Sequence, residues 1–439
     1  MSSKPSFEEA RNAYAAVLGK GVSGSYTNLI LWILAGQPPK EGGDVSTLFR
    51  DQVYNLDTME IGAGDSVLVA KSGHRANTAK YITSGAAGII YLGASGTIYK
   101  KIEITINKSR IEEEVKEAFL EAWFQTVLSL DKAVGTNIGK ITRFFRDPSL
   151  VKKGGKNWWE NNGAKATFYI TMENIPNTFS RMLKKSGAKT GGKASIAAVK
   201  PRLFQLAAVL KHLDTTYGFR HRDLHQGNVM FTDDMNVKII DFGRCCMNFE
   251  WSYGGRTALY TMAKWGTDDV PPEVLKGKSL ECFSLDLFIF LISVIQDDTD
   301  MSLCSYSLQK MLLTMVTSSA KTGSTDLYIY LKSRSDDKVR RTRQTYSPFW
   351  DSYPWSFSSW EPRYIAALAD TPSVFIDGFL AFVQSAEDAQ YPEPARSVSA
   401  SGPIAPKAAG PAVTRTGPTR GGYKSRSKKR KTRTRRYRK

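Results

Sequence analysis

The sequence predicts an α+β fold in which a small sheet-rich lobe precedes a larger, mainly helical one. Three observations carry this. Between residues 80 and 106, short runs rich in Ile, Tyr and Thr are separated by glycine pairs, the pattern of antiparallel strands joined by tight turns. From Ser109 to Leu130 there is no Gly or Pro, and four Glu cluster near the start, the pattern of one long helix with acids at its positive end. Beyond Pro176 the apolar residues recur mainly at helical spacing, so strands come first and helices later.

Residues 1–78 read as an N-terminal extension without an assigned role; Tyr26–Ala35 is apolar there and fits either a helix or a buried strand. Three strands follow at Tyr81–Ser84, Ile89–Leu92 and Thr97–Ile106, divided by Gly85-Ala-Ala-Gly88 and Gly93-Ala-Ser-Gly96. The long helix opens with Glu112, Glu113, Glu114 and Glu117, and two more strands are expected at Ile138–Phe145 and Ala166–Met172. Residues 79–175 thus form the sheet lobe and 176–390 the helical lobe. In the latter, Leu203, Leu206, Ala207, Leu210 and Leu213 give Val199–Tyr217 one apolar face. Leu285–Ile295 is apolar nearly all round, which predicts a buried helix. Ser186–Ser195, rich in Gly, Ala, Lys and Ser, reads as a surface loop. Residues 391–439 are Pro/Ala/Gly/Ser-rich and then basic, which predicts disorder.

The charge sits unevenly. Of the formal net +19, residues 391–439 hold 15 basic residues against a single acid, Glu393, so the body is nearly balanced. Lys424–Lys439 carries eleven basic residues in sixteen. A cation this dense is expected to bind polyanions, nucleic acid included, by counterion release, and it also fits a nuclear localisation signal. The hydrophobic share of 41% excludes a wholly disordered chain. Four cysteines (Cys245, Cys246, Cys282, Cys304) cannot staple a chain this long and suit a reducing compartment. No secretory leader is visible, and the longest apolar runs, Leu29–Ala35 and Leu285–Ile295, fall short of the roughly 18–20 residues that span a bilayer. The expectation is an intracellular protein, cytoplasmic or nuclear, with no membrane partner.

The residues that carry chemistry lie in His221-Arg-Asp-Leu-His-Gln-Gly-Asn-Val-Met230 and Val237-Lys-Ile-Ile-Asp-Phe-Gly243. Asp223 and Asn228 are five apart; Asn228 and Asp241 are thirteen apart, across a strand–turn–strand at Val229–Phe231 and Val237–Ile240. One carboxylate can orient a hydroxyl nucleophile, while an amide oxygen and a second carboxylate offer hard ligands for Mg²⁺.

These segments resemble the His-Arg-Asp-x-x-x-x-Asn catalytic loop and Asp-Phe-Gly motif of the protein-kinase superfamily. The resemblance covers about residues 78–385 and implies a bilobal kinase fold using ATP and Mg²⁺ to phosphorylate a protein Ser/Thr hydroxyl. It implies Asp223 as catalytic base, Asn228 and Asp241 as metal ligands, and Arg222 as the partner of a phosphorylated activation loop. Thr83-Ser-Gly85-Ala-Ala-Gly88-Ile-Ile90 resembles the glycine loop with Thr in place of its first Gly, so Gly85 and Gly88 are expected to admit ATP phosphates. Thr97-Ile-Tyr-Lys100 resembles Val-Ala-Ile-Lys. Strand alternation favours Lys100 for the phosphates, with Lys101 as the alternative. Its glutamate partner is expected at Glu121, with Glu117 and Glu114 also placed for it. Phe168-Tyr-Ile-Thr-Met172-Glu173-Asn-Ile175 resembles the adenine-binding hinge, with Met172 as gatekeeper and the backbones of Glu173 and Ile175 on the adenine edge. Val270-Pro-Pro-Glu273 resembles Ala-Pro-Glu. Asp286, thirteen residues later, is expected to bond the catalytic-loop backbone. The segment from Arg244 to Val270 reads as a loop offering Ser252, Thr257, Tyr260, Thr261 and Thr267 as phosphosites.

One departure bears on the acceptor. Two residues after the base, Ser/Thr kinases usually place a Lys that neutralises the transferred phosphate; here it is His225. Leu-His-x-Gly-Asn is similar to haspin-like and large-DNA-virus kinases, the latter leaving a virion association open. It is also similar to small-molecule kinases of the aminoglycoside and choline kinase type. A small-molecule kinase, and a pseudokinase scaffold with a nucleic-acid-binding tail, are therefore alternatives.

Overall fold

The computed structural model describes residues 3–19, 53–62, 66–69, 77–85, 88–106, 111–148, 150, 165–188, 192–221, 223–253, 256–263, 286–323 and 380–390. The chain divides into two compact units, Met1–Glu393 and Pro394–Lys439, and every described residue lies in the first. Arg222, Tyr26–Ala35, Val270–Glu273, Thr267 and the basic tail lie outside the described residues.

The first lobe is a seven-stranded sheet with a helix on one face. Its strands are β1 (Met59–Gly62), β2 (Ser66–Val69), β3 (Asn77–Gly85), β4 (Gly88–Gly93), β5 (Ile98–Thr105), β6 (Ile141–Arg146) and β7 (Lys165–Met172), in the order β1-β2-β3-β4-β5-β7-β6 with antiparallel neighbours. The five strands expected between residues 80 and 172 are all present. β1 and β2 extend the sheet into the segment read as an extension: their four-residue runs are punctuated by glycine like the others but are too short to carry alternation.

Helix α1 (Phe7–Val17), also unexpected, is held at its start by a reciprocal capping box between Ser6 and Glu9. It packs on the long helix α2 (Ile111–Ser129): the Tyr14 hydroxyl donates to the Phe119 carbonyl at 2.7 Å, and the Tyr14 ring meets Trp123 edge-on at 5.0 Å. On its other side α2 sets Phe119 against Phe144 of β6 and Phe168 of β7. Sandwiched in this way, α2 is buried at every position from Ala118 to Leu128.

The second lobe contains β8 (Asn177–Thr178), α3 (Phe179–Ala188), α4 (Ile196–Tyr217), the hairpin β9 (Val229–Phe231) and β10 (Val237–Ile239), and helices α5 (Asp286–Gln296), α6 (Asp298–Leu303) and α7 (Tyr306–Gly323). α4 and α5 fall where their apolar patterns place them. Among described residues no helix is long and apolar enough to cross a membrane.

Two expectations are corrected. Ser186–Ser195 is not simply a surface loop: α3 runs to Ala188, Gly187 is buried, and Ala194 is fully buried, its N–H bonded to the Leu303 carbonyl at 2.8 Å. A Cβ on Gly187 would meet the backbone of Gly192–Ala194, so the segment folds back on itself there, while Ala188 and Gly192 remain exposed. The segment after Arg244 is not a plain loop either. β11 (Cys246–Tyr253) and β12 (Arg256–Ala263) pair antiparallel over eight residues each, Tyr253 opposite Arg256. Only Gly254 and Gly255 separate those two residues, and Gly-Gly between two runs is itself a hairpin signal.

Candidate active site

The site lies on four pieces of backbone. β5 carries Lys100, α2 carries Glu121, the segment joining α4 to β9 carries Asp223, His225 and Asn228, and the segment leaving β10 carries Asp241. Lys100 is 2% exposed. Its Nζ lies 2.5 Å from Glu121 Oε1 and 2.7 Å from Asp241 Oδ1. Burial pulls the ammonium pKa down, the carboxylates of Asp241 and Glu121 more than reverse that, and the net direction is up. Lys101, one residue on, points to the other side of the sheet and pairs with Glu103 at 2.9 Å. Of the two lysines and three glutamates the sequence left open, the pair brought together is Lys100 with Glu121.

The loop after α4 is a set of interlocked backbone bonds. The His225 N–H donates to the Asp223 carbonyl at 2.9 Å, the Asn228 N–H to the His225 carbonyl at 2.9 Å, and Asn228 Nδ2 to the Asp223 carbonyl at 2.7 Å. The Ile240 N–H then donates to the Asn228 carbonyl at 3.1 Å, which brings Asp241 beside Asn228. Asp241 itself has φ 63°, a left-handed conformation uncommon outside glycine. With an NH₂ hydrogen used on the loop, the Asn228 group left to serve a metal is its amide oxygen. That oxygen and the Asp241 carboxylate are the hard donors a Mg²⁺ site requires, so the residues fit the ion.

Asp286, at the start of α5, accepts from the His221 N–H at 2.7 Å, the contact expected of an acid in an apolar helix. His221 Nε2 donates to the Ile240 carbonyl at 2.9 Å, and Ser293 Oγ accepts from the Gln226 N–H at 2.8 Å. Phe242 is fully buried in a cluster of three rings with Phe219 and His221. The loop is therefore bolted to the helical core at both ends.

Burial raises the Asp223 carboxyl above its ordinary value, against the opposing charges of Arg244, His225 and His221. Burial lowers the His225 imidazole, with Asp223 opposing, so the ring is neutral near pH 7. His225 Nδ1 accepts from the Gly227 N–H at 3.0 Å, which leaves the proton of the neutral ring on Nε2.

At the sheet end, Gly85 and Gly88 face each other as the closing pair of β3 and β4. Gly88 has φ +136°, and a Cβ there would lie 2.4 Å from the Lys101 carbonyl oxygen, so this position admits no side chain. Met172 ends β7, buried, opposite Ile98 and Ile141. Ile175 is buried beyond it. The Glu173 N–H is bonded to the Lys140 carbonyl at 3.0 Å. The Glu173 side chain accepts from the Lys140 N–H at 2.7 Å and Lys238 Nζ at 2.6 Å, tying the hinge to β10. Sequence reading missed Arg244, whose Nε lies 3.8 Å from Asp223 Oδ2; its place directly after Asp-Phe-Gly was the available signal.

A family model of the protein kinase domain matches residues 77–302, more than half of the chain. The chain belongs to the protein kinase domain family. A relative in Dictyostelium discoideum, named a probable serine/threonine-protein kinase mkcC, is 26% identical over 221 residues, 49% of this chain and 20% of that protein. The chain thus matches about a fifth of the length of that relative. The kinase domain is of the α+β, two-lobed kind the sequence predicts.

Proposed function

We propose that the chain is an ATP- and Mg²⁺-dependent kinase acting on Ser/Thr hydroxyls of proteins. The observation that carries this reading is the buried Lys100 held between Glu121 and Asp241, directly beside the loop bearing Asp223 and Asn228. Lys100 is positioned for the inner phosphates of ATP, and Gly85 and Gly88 let backbone approach them. Met172, the Glu173 carbonyl and Ile175 line the adenine side. Asn228 and Asp241 hold Mg²⁺, which when bound neutralises phosphate charge. Asp223, with its pKa raised, accepts a proton from the acceptor hydroxyl. Such sites work mainly by positioning and charge neutralisation. The protein acceptor is supported by the distant Ser/Thr-kinase relative and by the Arg222, Phe242 and Pro-Pro-Glu pattern of the sequence.

A second reading keeps the chemistry and moves the acceptor to a small molecule; His225 in place of Lys favours it. Turnover of γ-labelled ATP on mixed acidic and basic proteins separates the two. Label on protein Ser/Thr with wild type and not with Asp223→Ala supports the first. ATP turnover that leaves every protein unlabelled moves the assignment to the second.

A further inference from the structure

Resting on the kinase reading above, we propose that the exposed face of α3 is a docking surface for an acidic segment of the acceptor protein. The argument begins with charge. Residues 174–213 hold eight Lys and Arg and no Asp or Glu, whereas the rest of residues 1–390 hold 38 Lys and Arg against 41 Asp and Glu. The positive charge of the body is thus gathered in the stretch that follows the hinge. Folding gathers it further. Phe179, Met182, Leu183 and Gly187 are the buried side of α3, and its exposed side is Arg181, Lys184, Lys185 and Ala188. Steps of three, one and three put these residues on one helical face. Three cations stand there within about 6 Å along the helix axis.

The acids beside this face leave its cations open to a partner. Lys185 Nζ lies 3.5 Å from Asp233 in a pair exposed on both sides, and such pairs contribute little. Asp300 acts on Lys184 by charge, but it is buried and bonded to Ser180. Arg181 donates from Nη1 to the Pro176 carbonyl at 3.2 Å, a neutral partner that holds the guanidinium beside the hinge.

The face is also tied to the catalytic loop. The Ser180 hydroxyl, on the same helix, bonds Asp300 of α6. Asp297, which caps α6, accepts from Gln226 Nε2 at 3.2 Å, and Gln226 follows His225 directly. α3 therefore starts at the hinge and stands one helix away from the loop bearing Asp223. An extended chain advances about 3.3 Å per residue and a helix is about 10 Å wide, so a few flanking residues of an acceptor cover that interval. An acidic protein segment fits this face better than nucleic acid does. The aromatic ring of α3, Phe179, is buried, so the face offers no platform for stacking bases.

The test uses the full-length chain, wild type and the Arg181→Glu/Lys184→Glu/Lys185→Glu variant, with circular dichroism to verify folding. Acceptors are serine peptides carrying a block of Glu or a block of Lys at several distances on either side of the serine. Wild type should show the lower KM with Glu. Charge reversal should raise KM for the best Glu peptide about tenfold or more, leave kcat and KM for ATP within about twofold, and lower KM for the matching Lys peptide. A merely structural role for α3 would impair both peptides and would not exchange the preference. Lys184→Glu/Lys185→Glu keeps the Arg181 bond to Pro176 and gives the same readout if the triple variant fails to fold. A wild type that prefers Lys, or a reversal that leaves KM for the Glu peptide within about twofold, overturns the proposal. So does a reversal that weakens binding of a single-stranded oligonucleotide and leaves the peptides unaffected. A Glu peptide bearing a photocrosslinker should label α3; label confined to residues 424–439 also overturns the proposal. Labelling requires no turnover, so it decides the docking face even where no peptide is phosphorylated. Absence of wild-type turnover on any acceptor, water included, overturns the kinase reading beneath it.

Discussion

At the scale of residues, the site turns on two groups whose pKa values burial pushes in opposite directions. In the proposed role of base, Asp223 must be ionised to take a proton, and burial raises its value. Activity is therefore lost as pH falls through that raised value, and the acid limb of kcat/KM against pH should stand above the ordinary carboxylate figure of about 3.9. His225 is lowered and stays neutral near pH 7, so it adds no limb on the alkaline side. A pH–rate profile checks both; an acid limb at the ordinary value would mean that another group titrates. Replacing Asp223 or Asp241 by Ala should reduce turnover by about 10³-fold or more while circular dichroism is unchanged. Substantial activity in either purified variant would remove them from the roles proposed. Most of these residues were legible, because spacing within one loop is a property of the chain. Arg244 was read only as the start of a loop: its place directly after Asp-Phe-Gly was visible, but its distance from Asp223 is set by how the chain leaves β10.

At the scale of elements, helix α1 is a brace on α2. α2 carries Glu121, and one of its sides is covered by Tyr14. Tyr14→Ala empties a buried aromatic site, which costs about 3–5 kcal/mol for residues of this size. We expect a lower Tm and a turnover reduced several-fold even well below it, since Glu121 is no longer held against Lys100. Unchanged kcat at a temperature where the variant is folded would make α1 a purely structural element. A second joint lies between α3 and α6, where the Ser180 hydroxyl bonds Asp300. Burial raises Asp300 to about 6, with Ser180 opposing, and its Oδ2 is buried without a hydrogen-bond partner. A folded value above the unfolded one means stability that is full below about pH 4 and lost as pH rises through about 6. Asp300→Asn keeps a polar group for Ser180 and removes the charge. It should raise stability by up to about 3 kcal/mol at pH 8, by roughly half that at pH 5, and change little below about pH 4, as read by thermal melts across these values. The α1 brace had a sequence signal, Ser6 to Glu9 followed by Ala10, Tyr14 and Val17. The partner that makes those residues a buried face is more than a hundred positions away.

At the scale of the whole molecule, the kinase domain and the densest charge are separated along the chain. The kinase core belongs to Met1–Glu393, while the densest positive run, Lys424–Lys439, belongs to the second unit. Deleting residues 424–439 should leave kcat for ATP turnover within about twofold and should sharply weaken binding to DNA or heparin. Each phosphate that the shortened chain no longer neutralises should flatten the log K against log salt slope by about 0.9 for duplex DNA. A slope the same with and without the tail would place polyanion binding elsewhere.

The sequence by itself determined the α+β class, the order of strands before helices, and the identity of the loop bearing Asp223, Asn228 and Asp241. Those features are local: alternation, glycine turns and residue spacing are written within a few tens of positions. Tertiary structure decided the rest. It chose Lys100 over Lys101 and Glu121 over its neighbours, because a buried ammonium pairs with the carboxylate that packing brings within reach. It turned the residues after Arg244 into a hairpin and set a seven-stranded sheet where five strands were expected. It also set a guanidinium beside the base. Such outcomes depend on which surfaces meet, and pairings between distant parts of a chain exist only once it has folded.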